Sequence, residues 1–332
     1  MTILVTGGSG FIGSNFINEW FKNSEEEVIN FDKGTYASNP DNLTEVESNK
    51  NYKFIKGDIC DYESLKSCIN EHKIRSIINF AAESHVDNSI YQPDIFIETN
   101  VLGTHNLLKA FRDHINKSSK ASLEKYLFIH ISTDEVFGDL GKYGKPFKES
   151  NAYLPNSPYS ASKAASNHIV RAYNKTYSLP AIITNCSNNY GPRQFPEKLI
   201  PIVITNALRR LPIPIYGDGE QVRDWLHVND HCSALRLILE KGVSGEVYNI
   251  GGNNEIRNID LINHICDILD EIKPRKDLLS YKEQIEHITD RPGHDFRYSI
   301  DNSKIKDSLG WEPKEEFISG LKKTIIWYID NF

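Results

Sequence analysis

The chain enters a strand at once and then places four glycines in seven residues. Thr2 to Thr6 is a short β-branched, apolar run, and TGGSGFIG carries it through Gly7, Gly10 and Gly13 into an amphipathic stretch, Phe11 to Phe21. Glycines at that spacing permit a tight turn, let backbone approach a pyrophosphate closely, and seat its charge on a helix N-terminus. Glycine-rich turns are common, so the motif alone is a weak signal. The strand before it and the helix after it give it weight. Asp32 closes the second strand 19 residues after Gly13, where a carboxylate can bind both adenosine ribose hydroxyls. The same charge repels a 2′-phosphate, so NAD is expected rather than NADP.

Further along, apolar strands alternate with helical stretches. Thr2 to Thr6, Glu27 to Phe31, Tyr52 to Lys56, Ser76 to Phe80, Tyr126 to Ser132 and Ala181 to Cys186 read as strands, nearly continuous in apolar character. That character suits parallel strands buried on both faces. Phe11 to Phe21, Tyr62 to His72, Pro93 to Asn116 and Ser157 to Ser178 read as helices. The alternation specifies an α/β fold with a Rossmann-type, doubly wound parallel sheet. After Asn189 the pattern changes to prolines, short strands (Ile213 to Tyr216, Asp224 to Val228) and helices near Pro196 to Arg210 and Asp230 to Lys241. GEVYNI, Gly245 to Ile250, is strand-like enough to rejoin the main sheet. The expected organisation is therefore a cofactor domain over 1–189, with a returning strand near 245–250. A smaller, interleaved α/β substrate domain would occupy 190–332. Ser24 to Glu27 and Asn116 to Lys125 read as solvated turns.

Composition limits the partners. A net charge of -7 over 332 residues gives no electrostatic reason to expect nucleic acid or an anionic membrane. Cys60, Cys68, Cys186, Cys232 and Cys266 are scattered without metal-type spacing, so structural thiols and no metal site are expected. No apolar run reaches the roughly 20 residues of a membrane span. MTILVTGGSG leaves no room for a signal peptide, and a cytoplasmic protein is expected.

Two clusters carry chemistry. Tyr159 and Lys163 stand four apart in PYSASKAASNH and share a helix face. A tyrosine with an ordinary pKa near 10 is a poor base at neutral pH. A nearby ammonium and a positive nicotinamide ring are expected to lower it. Thr133, ending the strand YLFIHIS, can hydrogen-bond the same substrate hydroxyl. Asp134 and Glu135 follow it directly. An enzyme that only moves hydride needs one acid/base group at the reacting carbon. Two more carboxyls supply a second proton-transfer pair, which elimination of water requires. Arg223 and Arg291 are of the type that grips phosphate in bidentate fashion.

The strings TGGSGFIGSNF, NFDKGTYASN, FAAESHVDNSI, ISTDEVFG, PYSASKAASNH, SNNYGPRQFPEKLIP, PIYGDGEQVRDWLHVNDHC, YNIGG and DRPGHDFRYSID run nearly end to end. They resemble the extended short-chain dehydrogenase/reductases, and within them most closely the dTDP-glucose 4,6-dehydratases. The resemblance implies a cycle. Tyr159 takes the proton from the hydroxyl at sugar carbon 4 as hydride leaves for NAD. Glu135 removes the proton at carbon 5, and Asp134 protonates the departing hydroxyl of carbon 6. Hydride then returns to carbon 6, so NAD is regenerated and stays bound. Asp134 must then hold a proton at neutral pH.

The resemblance also implies a cofactor set: Phe11, Ile12, Asp32, Lys33, Gly34, Thr35, Asp58, Ile59, Phe80, Ala81, Ala82, Glu83, Ser84, Thr99 and Asn189. For a nucleotide sugar, dTDP-glucose, it implies Ser84 and Thr133 at the hexose and Pro214, Ile215 and Tyr216 at the base. Around diphosphate and sugar it implies Asn188, Lys198, Leu199, Arg223, Asn258 and the turn Asp290, Arg291, Pro292, Gly293, His294. Asn88 and Gly34 depart from the family's usual arginine and larger apolar residue. A homodimer built on the helices of Pro93 to Asn116 and Ser157 to Ser178 is implied, as is a place in deoxysugar synthesis, most often of rhamnose. A UDP- or CDP-sugar dehydratase or 4-epimerase, and a noncatalytic NAD-binding sensor, stay open as alternatives. The Asp134–Glu135 pair argues against the epimerase, and the full set of catalytic groups argues against the sensor.

Overall fold

The computed structural model describes residues 2–117 and 125–331; the turn expected over Asn116 to Lys125 falls largely outside them. The strands are β1 (Thr2–Thr6), β2 (Glu27–Asp32), β3 (Tyr52–Lys56), β4 (Ile74–Asn79), β5 (Leu127–Thr133), β6 (Ala181–Cys186), β7 (Asn188–Tyr190), β8 (Ile213–Tyr216), β9 (Val222–His227), β10 (Val247–Ile250), β11 (Glu255–Arg257) and β12 (Ile285–Ile288). Helices in the first half are α1 (Phe11–Asn23), α2 (Thr44–Glu47), α3 (Tyr62–Glu71), α4 (Val86–Tyr91), α5 (Pro93–Phe96), α6 (Thr104–Ile115) and α7 (Pro158–Tyr177). The second half adds α8 (Leu199–Arg209), α9 (Val228–Lys241), α10 (Asn258–Ile272), α11 (Ser303–Leu309) and α12 (Phe317–Asn331).

Seven strands form one sheet in the order β10-β6-β5-β4-β1-β2-β3, and every pairing in it is parallel. Side chains alternate across it as the pleat requires. Ile3 and Val5 of β1 pack with Phe16 and Trp20 of α1 and with Leu235 and Ile238 of α9. Leu4, between them, packs with Leu65 of α3, Phe111 of α6 and Val170 of α7. Both faces are thus covered, which is why the strands read as continuous apolar runs. The strand order reverses between β1 and β4. In open α/β sheets the crevice at such a reversal, outside the carboxyl ends of the strands, is where ligands bind.

The smaller lobe has its own core, in which Ile200 and Ile204 of α8, Leu261 and Ile265 of α10 and Leu321 and Ile325 of α12 are packed. Its sheets are β11-β9-β7 and β12-β8. After α9 the chain returns as β10, pairing in parallel with β6 at the edge of the large sheet.

The helix expected over Pro93 to Asn116 is three joined pieces: α5, a π-helical turn over Ile97–Gly103, and α6. Such turns favour functional sites, and here the reason is visible in Asn100. It is buried, and its side chain accepts the Glu83 N–H at 2.9 Å and donates to the Glu83 carbonyl at 3.0 Å and to Ser162 Oγ at 2.8 Å. The segment is thereby tied to the loop after β4 and to α7 together.

Candidate active site

A cavity of about 690 Å³ opens at the carboxyl ends of the large sheet and extends to the smaller lobe. Its first end is built from the turns after β1, β2, β3 and β4. Gly7, Gly10, Phe11, Ile12 and Gly13 line it, followed by Asp32, Lys33 and Thr35, then Asp58 and Ile59, then Phe80, Ala81, Ala82, Glu83 and Ser84, with Thr99 from the π turn. Two of the glycines are required by packing. A Cβ on Gly7, whose φ is +67°, would lie 2.7 Å from the Ala81 nitrogen. On Gly13 it would lie 2.4 Å from the Gly7 carbonyl oxygen. At Gly10 the nearest protein atom would be that same oxygen at 3.3 Å, so a side chain there would fill the cradle itself. Asp32 accepts the Ser9 N–H at 3.0 Å and the Gly34 N–H at 2.8 Å. It is fixed by the turn it serves. Lys33 is paired with Asp58 at 2.7 Å. These features fit a dinucleotide, and the Asp32 carboxylate disfavours a 2′-phosphate.

The middle is built by β5 and α7. Thr133 ends β5, and its hydroxyl accepts the Glu135 N–H at 3.3 Å while donating to Asp134 Oδ1 at 3.2 Å. That local bond starts a short 3₁₀ turn over Asp134–Phe137, which delivers both carboxyls to the cavity. Asp134 is only 1% exposed, and its Oδ2 has no protein partner. Burial pushes its carboxyl well above the ordinary aspartate range, with the neighbouring Glu135 and Asp224 adding to the rise. Glu135 is also raised by burial, but Arg291, Arg223 and Lys198 pull it back. Neighbours in sequence thus lie in different fields, the arrangement that separates an acid from a base.

Helix α7 starts on a capping box between Ser157 and Ser160, with Pro158 in the first turn. Tyr159 and Lys163 both reach the cavity from it. Lys163 donates to the Ile131 carbonyl at 2.7 Å, and burial lowers its pKa to about 8. Burial, followed by Glu135, Cys186 and Asp134, holds the Tyr159 phenol well above its ordinary value, opposed by a hydrogen bond with Thr133. The lysine ammonium is held by a strand carbonyl on the same side of the cavity.

The far end belongs to the smaller lobe, where Asn188, Lys198, Leu199, Pro214, Ile215, Tyr216, Arg223, Asn258, Arg291 and His294 line the cavity, with Asn189 beside them. Arg223 is buried and donates only to carbonyls, those of Val222, Asp295 and Phe296. Its guanidinium stacks 4.4 Å from the Tyr298 ring centroid. No carboxylate among the described residues takes a hydrogen bond from it. Lys198 donates to the Ser84 carbonyl at 2.6 Å. Asn188 Oδ1, Asn258 Oδ1 and Arg291 Nε are buried without a protein partner. Buried polar atoms are otherwise nearly always paired, so the cavity is fitted for a polar, anionic guest.

Four expected residues do not line the cavity: Gly34, Asp290, Pro292 and Gly293. Gly34 serves the turn, with φ at +71° and its N–H on Asp32. Asp290 accepts from Gln221 at 3.0 Å and pairs with His294 Nδ1 at 2.6 Å, so it supports a lining residue from outside. Sequence reasoning missed Asp87, Gln194, Phe195, Glu197 and Trp225, which do line the cavity. Asp87 lies within FAAESHVDNSI, but a single aspartate on a helix as short as α4 has no pattern to reveal it.

The family model described as GDP-mannose 4,6 dehydratase matches residues 4–324. The chain is 53% identical over 330 residues to a dTDP-glucose 4,6-dehydratase of Xanthomonas campestris pv. campestris (strain B100), covering 99% of this chain and 93% of that one. Among solved structures, the dTDP-glucose 4,6-dehydratase of Bacillus anthracis str. Ames, in complex with NAD, superposes with a TM-score of 0.87 at 46% identity, covering 100% of this chain and 97% of that one. That of Streptomyces venezuelae, with NAD and dTDP bound, gives 0.90 at 42% identity, covering 100% and 98%.

Proposed function

The chain belongs to the family described as GDP-mannose 4,6 dehydratase, and we propose that within it this protein is a dTDP-glucose 4,6-dehydratase using NAD. It converts dTDP-glucose to dTDP-4-keto-6-deoxyglucose and water. The observation that carries this is the Asp134–Glu135 pair, set at the mouth of β5 in one cavity with Tyr159 and in two different fields. The relatives named dTDP-glucose 4,6-dehydratase at about half identity over the whole chain support the thymidine nucleotide over the guanosine one in the family's description.

NAD, when bound along Gly7 to Gly13, Asp32 and Asp58, takes hydride from sugar carbon 4 and returns it to carbon 6. The residues of the chain do the rest. Tyr159 accepts the proton of the carbon 4 hydroxyl, with Thr133 on the same oxygen. A ketone at carbon 4 acidifies carbon 5, and Glu135 takes that proton. Asp134, kept neutral by burial, donates its proton to the leaving hydroxyl of carbon 6. Glu135 then returns a proton to carbon 5. Arg223, Arg291 and Lys198 bring the positive charge that a diphosphate requires within an acidic chain. In domain terms, 1–189 with the returning strand hold NAD, and 190–332 hold most of the nucleotide sugar.

The test is incubation with dTDP-glucose and its UDP, CDP and GDP analogues, reading product mass. Loss of one water with dTDP-glucose preferred is expected. An unchanged mass with a galactose product would mean an epimerase and would remove the roles given to Asp134 and Glu135.

The assembly we propose is a homodimer through the interrupted helix and α7. Ile97 and Leu102 in the π turn are 52% and 48% exposed, and Tyr91 at the end of α4 just before it is 82% exposed, exposed apolar side chains of the kind that mark an interface. Light scattering should give twice the chain mass, and Leu102→Asp should reduce it; a wild-type monomer would sink the assignment. The free state of all five cysteines supports a reducing, cytoplasmic setting. No helix among the described residues is long and apolar enough to cross a membrane. The product's keto and deoxy carbons suit a supply role in deoxysugar synthesis, rhamnose foremost.

A further inference from the structure

Asp87 has two partners, and both belong to the nucleotide end of the cavity. One carboxylate oxygen accepts the Tyr216 hydroxyl at 3.0 Å, and the other pairs with Arg291 Nη1 at 3.1 Å. Asp87 stands on α4 of the large lobe, Tyr216 on β8 of the small lobe, and Arg291 beyond β12. The carboxylate therefore reaches across the cleft and holds two residues that come from separate segments.

The geometry of the arginine gives this bond its meaning. A guanidinium presents two bidentate edges, Nε with Nη2 along its side and Nη1 with Nη2 at its end. Asp87 takes Nη1, and Nε is buried without a protein partner. Asp87 thus engages the end edge and leaves the Nε–Nη2 side edge, which also suits two phosphate oxygens, without a protein partner. Tyr216 is held by its hydroxyl end, with His294 edge-on at 6.1 Å and the Arg291 guanidinium 6.0 Å from the ring centroid. A phenol anchored at its oxygen keeps its ring plane while leaving a face for a base.

We propose that Asp87 is the positioning residue of this end: it presents the free edge of Arg291 to a diphosphate and fixes the Tyr216 ring for the base. The role rests on the substrate reading above and adds to it the residue that joins base and phosphate recognition. Asp87 touches neither reacting carbon nor cofactor in this role, so its loss should appear in binding of the nucleotide half.

The experiment titrates dTDP, without a sugar, into the NAD-loaded protein and follows turnover of dTDP-glucose in parallel. Hydrogen bonds to charged groups are worth enough that Asp87→Asn should weaken dTDP about 10-fold or more. KM should rise with it, and kcat should change by less than about threefold, as expected for an interaction equal in ground and transition states. Tyr216→Phe removes one bond alone and should weaken dTDP about threefold. The double variant should lose less than the product of the single losses, because the two groups bond to each other. Asp87→Glu, which keeps the charge, should recover part of the affinity. Unchanged dTDP affinity in Asp87→Asn overturns the proposal, as does a fall in kcat with KM unmoved. A wild-type protein that ignores dTDP overturns the substrate reading instead, and the two failures are thereby told apart.

Discussion

Asp134 and Glu135 are consecutive, yet only Glu135 has three cations, Arg291, Arg223 and Lys198, acting together to lower its pKa. Asp134 has a Thr133 hydroxyl on one oxygen, nothing on the other, and Glu135 and Asp224 as acidic neighbours. Burial raises both, Asp134 well above its ordinary range and Glu135 against the pull of those cations.

Replacing the base should divide the reaction in two. Glu135→Gln should still oxidise carbon 4 and then stall before water leaves, with kcat down about 100-fold or more. The check is rapid mixing with dTDP-glucose, following absorbance of the reduced cofactor beside product mass. Rapid normal turnover would remove Glu135 from the base role.

The first proton transfer depends on Tyr159. Tyr159→Phe should abolish oxidation, so that no reduced cofactor is seen on mixing. Because burial and the nearby carboxylates hold this phenol up, binding of NAD, with its positive ring, should lower the pKa and favour phenolate. Ultraviolet titration with and without NAD, using Tyr159→Phe as the blank, measures that shift. No shift would mean that the hydroxyl acts without becoming phenolate.

The two raised carboxyls predict a bell in kcat against pH. Activity should rise as Glu135 sheds its proton, above the ordinary glutamate range, and fall as Asp134 sheds its own. Stability carries a matching sign. The native chain holds a proton on Asp134 that the unfolded chain gives up above the usual aspartate value, so this group's stability contribution falls as pH rises toward its native pKa. Asp134→Asn should flatten that part of the denaturation curve measured across pH. An unaltered slope would show that Asp134 is ionised in the fold.

Asp32→Ala should weaken NAD about 10-fold or more. It should also loosen the turn, since the Ser9 and Gly34 N–H groups lose their acceptor, at a cost of about 1–3 kcal/mol. Calorimetric titration with NAD and thermal unfolding give both numbers. Unchanged affinity would take the ribose contact away from Asp32.

The sequence made some of this legible and hid the rest for physical reasons. Strand-helix alternation and buried parallel strands leave strong periodic traces, so the large sheet could be read, including β10 from GEVYNI. Gly7, Gly13 and Asp32 could be read because each answers a backbone requirement fixed by spacing. The π turn at Ile97–Gly103 could not, because its cause is the hydrogen bonding of Asn100 to Glu83 and Ser162, which only the fold brings near. Spacing on a helix places Lys163 on the right face but does not tell which acceptor its ammonium takes, here the Ile131 carbonyl. Asp87 was invisible because its significance lies in Tyr216 and Arg291, each more than a hundred residues away in the chain.

The return of β10 to the edge beside β6 has a consequence for how the polypeptide is made. Residues between these strands form much of the small lobe, so the large sheet stays one strand short until about residue 250 has left the ribosome. Until then β6 presents a bare row of backbone donors and acceptors, the kind of edge that recruits other chains. A fragment ending at Asn189 should accordingly be prone to aggregate, whereas one ending after Ile250 closes that edge.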